Sequence, residues 1–582
     1  MTAMAGKAPA PAERRRRDWA PAGMVGVAMV ATGAVLALLA VVFWLSFVEG
    51  TPGDPALVYT LDHYRAMFFD SFTYRVLWNT VLFSAMALSV ALALAVPIAW
   101  LIERTDFPGK PLILTLMTTA LLIPGFAVSL GWVFLLHPKI GLVNHWLMAV
   151  FGLSEAPLDV GNIFAMGAIE GMNLTPLAFI MTAAALRAMD PALEEAAATS
   201  GARPWQAAWR VTLPVLWPAL LAAAIYVATI GFAAFDVPAI LGLSRRIFTF
   251  STYVFWVLTP SEGAPEYGSV ACLSVLMTAI AALMSWAYRR AQRQAPKYAV
   301  VTGKGYRPRI ARLGRAKLPA ILGVALYFVV AQLLPLLMLC WAALLPYLQP
   351  PSAAALAAVS LNNFRNLPQA LLWRAGTNTA ILMAVVPTIT LFASVAISWV
   401  VLRTRIRFRG VFDFLAFLPL AIPAIVFSVA ALLIALFVLR SIVPIYGTLW
   451  ILILVYVVAR LSYGTRMTNG ALIQIHTELE ESARVCGAST GGVLRRVLLP
   501  LLMPSLVYAW IWIALLTYRE LSLPVVISTS GNLPFSYLVW GFVQDSAYGQ
   551  AAAASLIMLA LMLPILLLYW LVARRAGIVA LR

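Results

Sequence analysis

The stretch Glu194-Glu-Ala-Ala-Ala-Thr-Ser-Gly201 is followed, after nine residues, by Val211-Thr-Leu-Pro214. Later the chain repeats itself: Glu480-Glu-Ser-Ala-Arg-Val-Cys-Gly487, the same nine-residue gap, then Val497-Leu-Leu-Pro500. Both copies read E-(A/S)-A-x3-G-x9-V-x-L-P, and each lies between two long apolar runs. Neither copy is apolar enough to cross a bilayer. Each is expected to open as a short amphipathic helix with acidic residues in its first turn, where the helix dipole favours them. A glycine then breaks the helix, and an Arg-bearing segment leads to a Leu-Pro entry into the next run.

The surroundings of the motif set its context. Of 582 residues, 62% are hydrophobic and 11% charged, far from the balance of a soluble domain. Many runs of about 20 apolar residues are long enough to cross a bilayer as helices. Inside lipid the backbone must satisfy its own hydrogen bonds, and the runs lack the alternation of a membrane barrel. The expected class is an all-α polytopic membrane protein. The net charge of +18 does not point to nucleic acid, because the excess Lys and Arg are confined to a few connecting segments. Cys272, Cys340 and Cys486 show no metal-ligand spacing, and no disulfide framework is implied. Arg14 to Arg17 precede an apolar run too long for a cleavable signal, so this run reads as a retained first span.

Residues 1–21 read as a basic tail, followed by spans near 22–47, 78–102, 112–136, 161–186, 215–241 and 268–288. The segment 289–317 holds ten Lys or Arg and no acid, and reads as a linker. A second set of spans is expected near 318–346, 377–402, 411–439, 447–471, 503–527 and 551–573, with a short tail over 575–582. The two sets, 22–288 and 318–574, are copies. Asn79-Thr80, Trp100, Arg104-Thr105 and Ile123-Pro124 match Asn378-Thr379, Trp399, Arg403-Thr404 and Ile422-Pro423 at an offset of 299. Glu194, Gly201, Leu213-Pro214 and Pro218 match Glu480, Gly487, Leu499-Pro500 and Pro504 at an offset of 286. The first half thus carries about 13 extra residues near Gly141 to Gly161, assigned to the outside. Each motif falls between the fourth and fifth spans, so the repeat is parallel.

Charge sets the sidedness. The tail, the linker, the cluster Arg403, Arg405, Arg407 and Arg409, and Arg574 with Arg575 are expected on the cytoplasmic side. Six spans per half place both termini and both motifs there too. The net acidic loop after the first span falls outside.

The repeated motif resembles the EAA loop of ABC-importer permeases, the segment that docks on the cytoplasmic ATPase. The resemblance covers both halves and implies two tandem six-helix transmembrane halves, about 12 spanning helices, in the type I importer permease fold. The loops are then residues 190–214 and 476–500. It implies ATPase-coupling roles for Glu195, Ala196, Ala197, Gly201, Leu213 and Pro214, and for Glu481, Ser482, Ala483, Gly487, Leu499 and Pro500. Glu195 and Glu481 would cap or ion-pair at the docking surface. The two glycines permit a sharp turn, and the two prolines suit the first turn of the following span. The alternative for the motif is a structural amphipathic connector.

A single chain with two such loops is similar to the binding-protein-dependent permeases for iron(III), thiamine, polyamines and aminoethylphosphonate, with Asp236-Val-Pro-Ala-Ile240 and Arg519-Glu-Leu-Ser522 nearest the iron(III) group. That implies an inner-membrane importer subunit, an extracytoplasmic solute-binding protein, and two copies of a cytoplasmic ABC ATPase. No G-x4-G-K-(S/T) phosphate loop occurs, and Gly303-Lys-Gly305 is a fragment in a basic segment. The chain is therefore not expected to be an enzyme or to hold a cofactor; ATP and Mg would be used by the partner. A transporter driven by an ion gradient is the reading from another class, and leaves the twin loops without a role.

Polar residues inside spans point to a pathway. Glu170 and Asn173, three apart, share one helical face. Arg460 lies near the middle of the matching tenth span. Glu170 and Arg460 have two readings, pairing across the halves or lining a cavity for a charged solute. Asp236 and Glu520, toward the outer ends of the fifth and eleventh spans, would guide a cation or the carrier's mouth, or snorkel as boundary residues. Asn79 and Asn378 read as helix caps. His63, His137, His145 and His476 share no spacing, so no metal centre is expected. The tryptophans near span ends read as anchors in the lipid interface.

Overall fold

The computed structural model describes residues 18–50, 58–190, 192–260, 265–294, 310–420, 422–440 and 442–575. Most of the basic tail and linker and the last residues of the chain lie outside these. The helices that carry the fold are α1 (Ala20–Leu45), α2 (Ser71–Arg104), α3 (Lys110–Ala120), α4 (Gly125–Leu136), α5 (Ile163–Ala188), α6 (Ala192–Thr199), α7 (Pro204–Ala233) and α8 (Tyr267–Gln294) in the first half. The second half has α9 (Gly314–Leu344), α10 (Gln369–Arg403), α11 (Arg409–Leu420), α12 (Ala424–Val438), α13 (Leu449–Ile473), α14 (Thr477–Val485), α15 (Thr490–Tyr518) and α16 (Tyr548–Arg575). Strand structure among the described residues is one two-residue pair, Val48–Glu49 against Val58–Tyr59. The all-α expectation holds.

Among the described residues, ten helices are each long and apolar enough to cross a membrane, and two bent pairs would bring the number to twelve. The bent pairs correct the expected third and ninth spans. Between α3 and α4 the chain turns by 95°, and between α11 and α12 by 105°. The cause is the repeated Ile-Pro. Pro124 and Pro423 lack the N–H that would continue a helix, and each stands in extended backbone as the cap of the helix that follows. The expected spans 215–241 and 503–527 also break: α7 ends at Ala233 and a short helix resumes at Asp236–Gly242, while α15 ends at Tyr518 and a turn resumes at Pro524–Ile527. The extra segment of the first half folds as a helix, Leu142–Phe151.

The halves are interleaved. α1 buries a stripe of Ala28, Val35, Leu38 and Val42 while packing on α10, α11 and α12 of the other half and on α8 of its own. The closing part of α9 packs on α4, so tightly that a Cβ at Gly131 would stand 2.3 Å from the carbonyl oxygen of Pro335. Within the first half, Gly167 and Gly171 let α5 press on α2, facing Phe83 and Ala87. Small residues at such spacing bring membrane helices close where no hydrophobic effect draws them together.

The expected helix caps Asn79 and Asn378 are corrected. Both lie two turns inside long helices that begin at Ser71 and Gln369. Asn79 Nδ2 donates to the carbonyl of Phe248 (3.2 Å) and Asn378 Nδ2 to that of Leu533 (3.0 Å). The adjoining Thr80 and Thr379 hydroxyls each accept the backbone N–H of Phe250 and Phe535 at 2.8 Å. Each Asn-Thr pair therefore fastens a non-spanning segment to its long helix, satisfying backbone groups that lipid cannot satisfy.

Candidate functional site

Both copies of the motif fold alike. α6 and α14 are short helices, and Gly201 and Gly487 follow them at φ +86° and +84°, the left-handed region that favours glycine. In the first copy the N–H of Ala202 donates to Ala197 (3.0 Å) and that of Gly201 to Ala198 (3.1 Å). In the second, Ala488 donates to Ala483 (3.0 Å) and Gly487 to Arg484 (2.9 Å). This paired pattern is the Schellman helix ending, and it needs the glycine. The second segment is not a separate connector. It is the start of the next span: α7 begins at Pro204 and α15 at Thr490. Pro214 and Pro500 therefore sit a few turns inside continuous helices rather than at their entry. A widened turn, 208–212 and 494–498, precedes each regular α-helical stretch, and such a turn accommodates a residue with no N–H to give.

The acidic pair at each motif divides its work. Glu195 and Glu481 are exposed. Glu194 and Glu480 turn inward and meet arginines at the ends of α2 and α10. Arg104 Nε lies 2.9 Å from Glu194 Oε2, with Arg104 only 2% exposed. Arg403 Nε lies 2.5 Å from Glu480 Oε1. The outward face also carries bare apolar side chains, Leu193 on α6 and Leu479 and Val485 on α14, Val485 being 88% exposed. An exposed face of this kind, on a helix held rigidly at its back, suits contact with another protein.

One cavity of about 230 Å³ is lined by Glu170, Asn173 and Asp236 of the first half and by Arg460, Arg519 and Glu520 of the second. All five intramembrane residues singled out from sequence come together there. Arg460 pairs with Glu520, not with Glu170, and also donates to the Leu516 carbonyl at 3.0 Å. The sequence reading missed Arg519. It crosses to the first half and donates to the carbonyl of Leu121, just past the end of α3. Asp236 lies at the opposite side of the same break, its Oδ2 against Gly125 at the start of α4. The negative end of one helix thus meets a cation and the positive end of the next a carboxyl group. The signal available in the sequence was the adjacency of Arg519 to Glu520 at a span's end. The wall between α11 and α12 supplies Pro419, Leu420 and Pro423. Among the described residues no group of three or more His, Cys, Asp or Glu is placed to hold a metal ion.

A parallel duplicated bundle of spanning helices, each half with a rigid acidic loop at one end and both sharing a polar cavity, is the architecture of a solute permease. The sequence matches the family described as the binding-protein-dependent transport system inner membrane component twice, over residues 95–295 and 393–578, and the chain belongs to that family. It is similar to a ferric transport system permease protein of Actinobacillus pleuropneumoniae, 25% identical over 93% of this chain and 78% of the relative. A putative ferric transport system permease protein of Haemophilus influenzae is 27% identical over 75% of this chain and 68% of the relative. The molybdenum transport system permease protein of Escherichia coli, 24% identical, matches 38% of this chain but 96% of its own length. That proportion is what a fused duplicate should show against an unfused relative. The chain is a transport subunit of the inner membrane.

Proposed function

We propose that this chain is the membrane-spanning subunit of an ATP-driven importer for iron(III), delivered by an extracytoplasmic binding protein. The chain supplies both transmembrane halves, so one copy serves each transporter. Two copies of a cytoplasmic ATPase clamp the loops 190–214 and 476–500, with Glu195 and Glu481 on the docking face, and both termini lie in the cytoplasm. ATP and Mg act in the partner, and this chain carries no cofactor. The observation that carries the reading is the twin loop: two helices with the same glycine-ended geometry, each held from behind by an ion pair with one buried partner. Iron(III) as cargo is supported by the ferric permeases that match most of the chain. Its pathway is the shared cavity, where Glu170, Asp236 and Glu520 place three carboxyl groups beside Arg460 and Arg519 and offer oxygen ligands to a cation.

The test is ATP-driven uptake in proteoliposomes holding this chain, its ATPase and its iron-loaded binding protein. Gly201→Asp and Gly487→Asp should each release the ATPase and stop uptake while the protein still inserts. Normal transport by both variants would sink the coupling reading. Normal ATP-driven uptake of another cargo but not of iron would sink iron alone.

A further inference from the structure

Arg104 and Arg403 belong by position to the basic ends of spans, yet neither guanidinium faces solvent. Each gathers several parts of its half. Arg104 bonds Glu194 of α6 and donates to the Leu186 carbonyl at the end of α5 (2.8 Å). Arg403 bonds Glu480 of α14 and donates to Leu472 (3.0 Å) and Ile475 (2.7 Å) at the end of α13. A guanidinium can do this because its five donors form a rigid planar fork. We propose that Arg104 and Arg403 are positioning residues that fasten each coupling helix to the second and fourth spans of its half, so that helix and spans move as one body.

The proposal rests on the ATPase reading above. Without such a fastening, a force applied to α6 would reach α5 through the short link at Met189 and Asp190 or indirectly by way of α7, and could be spent on bending that link. With it, the helix cannot slide unless a buried charge loses its partner, a costly event. The fastened carboxylates, Glu194 and Glu480, are not the exposed ones, Glu195 and Glu481, so the fastening is separate from the docking face.

The halves differ in one bond. Thr212, at the widened turn of α7, donates its hydroxyl to Glu194 Oε1 at 2.6 Å and so adds the fifth span to the first assembly. At the offset of 286 the second half has Leu498, which has no hydroxyl to give. By these side-chain bonds the first coupling helix is tied to three spans and the second to two.

The experiment uses the full transporter in proteoliposomes and reads ATPase retention, ATP hydrolysis and uptake per ATP. Glu480→Gln should keep the ATPase and its hydrolysis within about twofold while uptake per ATP falls about tenfold, as loss of a buried charge partner implies. Arg403→Lys, which keeps the charge but not the fork, should fall between that variant and wild type. Thr212→Leu should cost about threefold in uptake per ATP, and should fold, because leucine already occupies the matching place. If Glu480→Gln does not fold, Thr212→Leu and Arg403→Lys decide. Unchanged uptake per ATP with the ATPase retained overturns the fastening alone. Loss of the ATPase from Glu480→Gln also overturns it, since the pair would then belong to the docking face. A wild-type chain that retains no ATPase overturns the fastening and the function together.

Discussion

Asp236 and Gly125 touch at the break between α3 and α4: a Cβ on Gly125 would stand 3.2 Å from Asp236 Oδ2. The glycine leaves the carboxylate just enough room to rest at the start of α4. Gly125→Ala should displace it at a strain of about 1 kcal/mol, lowering the initial rate of uptake several-fold. Asp236→Asn keeps the shape and removes the carboxyl group, and should lower the rate further. Wild-type rates in both would show that the carboxylate has no part in passage.

Arg460 and Glu520 form an ion pair in the same cavity, their side chains 10% and 14% exposed. Glu520→Gln leaves a guanidinium without its partner and should destabilise the protein by about 3 kcal/mol, seen as a lower melting temperature in detergent. Replacing both, Arg460→Met with Glu520→Leu, should recover most of the stability but not uptake. Recovery of uptake in the double variant would make the pair purely structural.

The left-handed glycines ending α6 and α14 make a local prediction. Gly201→Ala or Gly487→Ala should cost about 1–2 kcal/mol each from backbone strain. The Schellman bond between Ala202 and Ala197 should open more often in Gly201→Ala, so the Ala202 amide should exchange its hydrogen faster. An unchanged exchange rate there would mean the helix end does not depend on the glycine.

Asp106, in the loop after α2, holds the end of the linker. Its carboxylate accepts the backbone N–H of Leu313 at 2.8 Å and faces Lys317 at 3.6 Å. The Leu313 N–H is the main reason that its pKa lies below the usual carboxylate value, with Lys317 adding to the effect. A depressed value means that the docked linker end gains from Asp106 above the ordinary carboxylate range, and loses that gain as pH falls through the lowered value. The protection factor of the Leu313 amide, its exchange rate relative to an unstructured amide at the same pH, should therefore fall at acid pH, and in Asp106→Asn should already be low at neutral pH. A protection factor that does not change with pH would remove Asp106 from the contact.

Much of this was legible in the sequence because the chain states it twice. Repetition at fixed offsets exposed the halves, the loops and the Asn-Thr and Ile-Pro pairs, and apolar run length exposed the helices. What each repeated residue does was less legible. Asn79 reads as a cap from its place near the end of an apolar run, but the helix extends beyond that run into polar residues, and the side chain bonds a segment 169 residues away. Arg403 reads as a marker of sidedness, since composition cannot tell a solvated arginine from one folded back onto a glutamate. The breaks at Pro124 and Pro423 were written in the sequence, yet hydropathy averages across them. Arg519 escaped notice because its partner, the Leu121 carbonyl, is a backbone group and carries no residue-type signal.

The interleaving of α1 and α9 with the opposite halves bears on how such a chain can be taken apart. A half expressed alone would keep a helix covered on one side only, α1 by α8 or α9 by α16, and leave bare the surface meant for its counterpart's helix. It would be an unfinished object, not a smaller transporter. Two halves made as separate chains would each hold what the other lacks and would find one another without the linker. Fusion then fixes parentage and equal dosage: every first half is born beside one second half, and the mispaired couples that two free chains could form never arise.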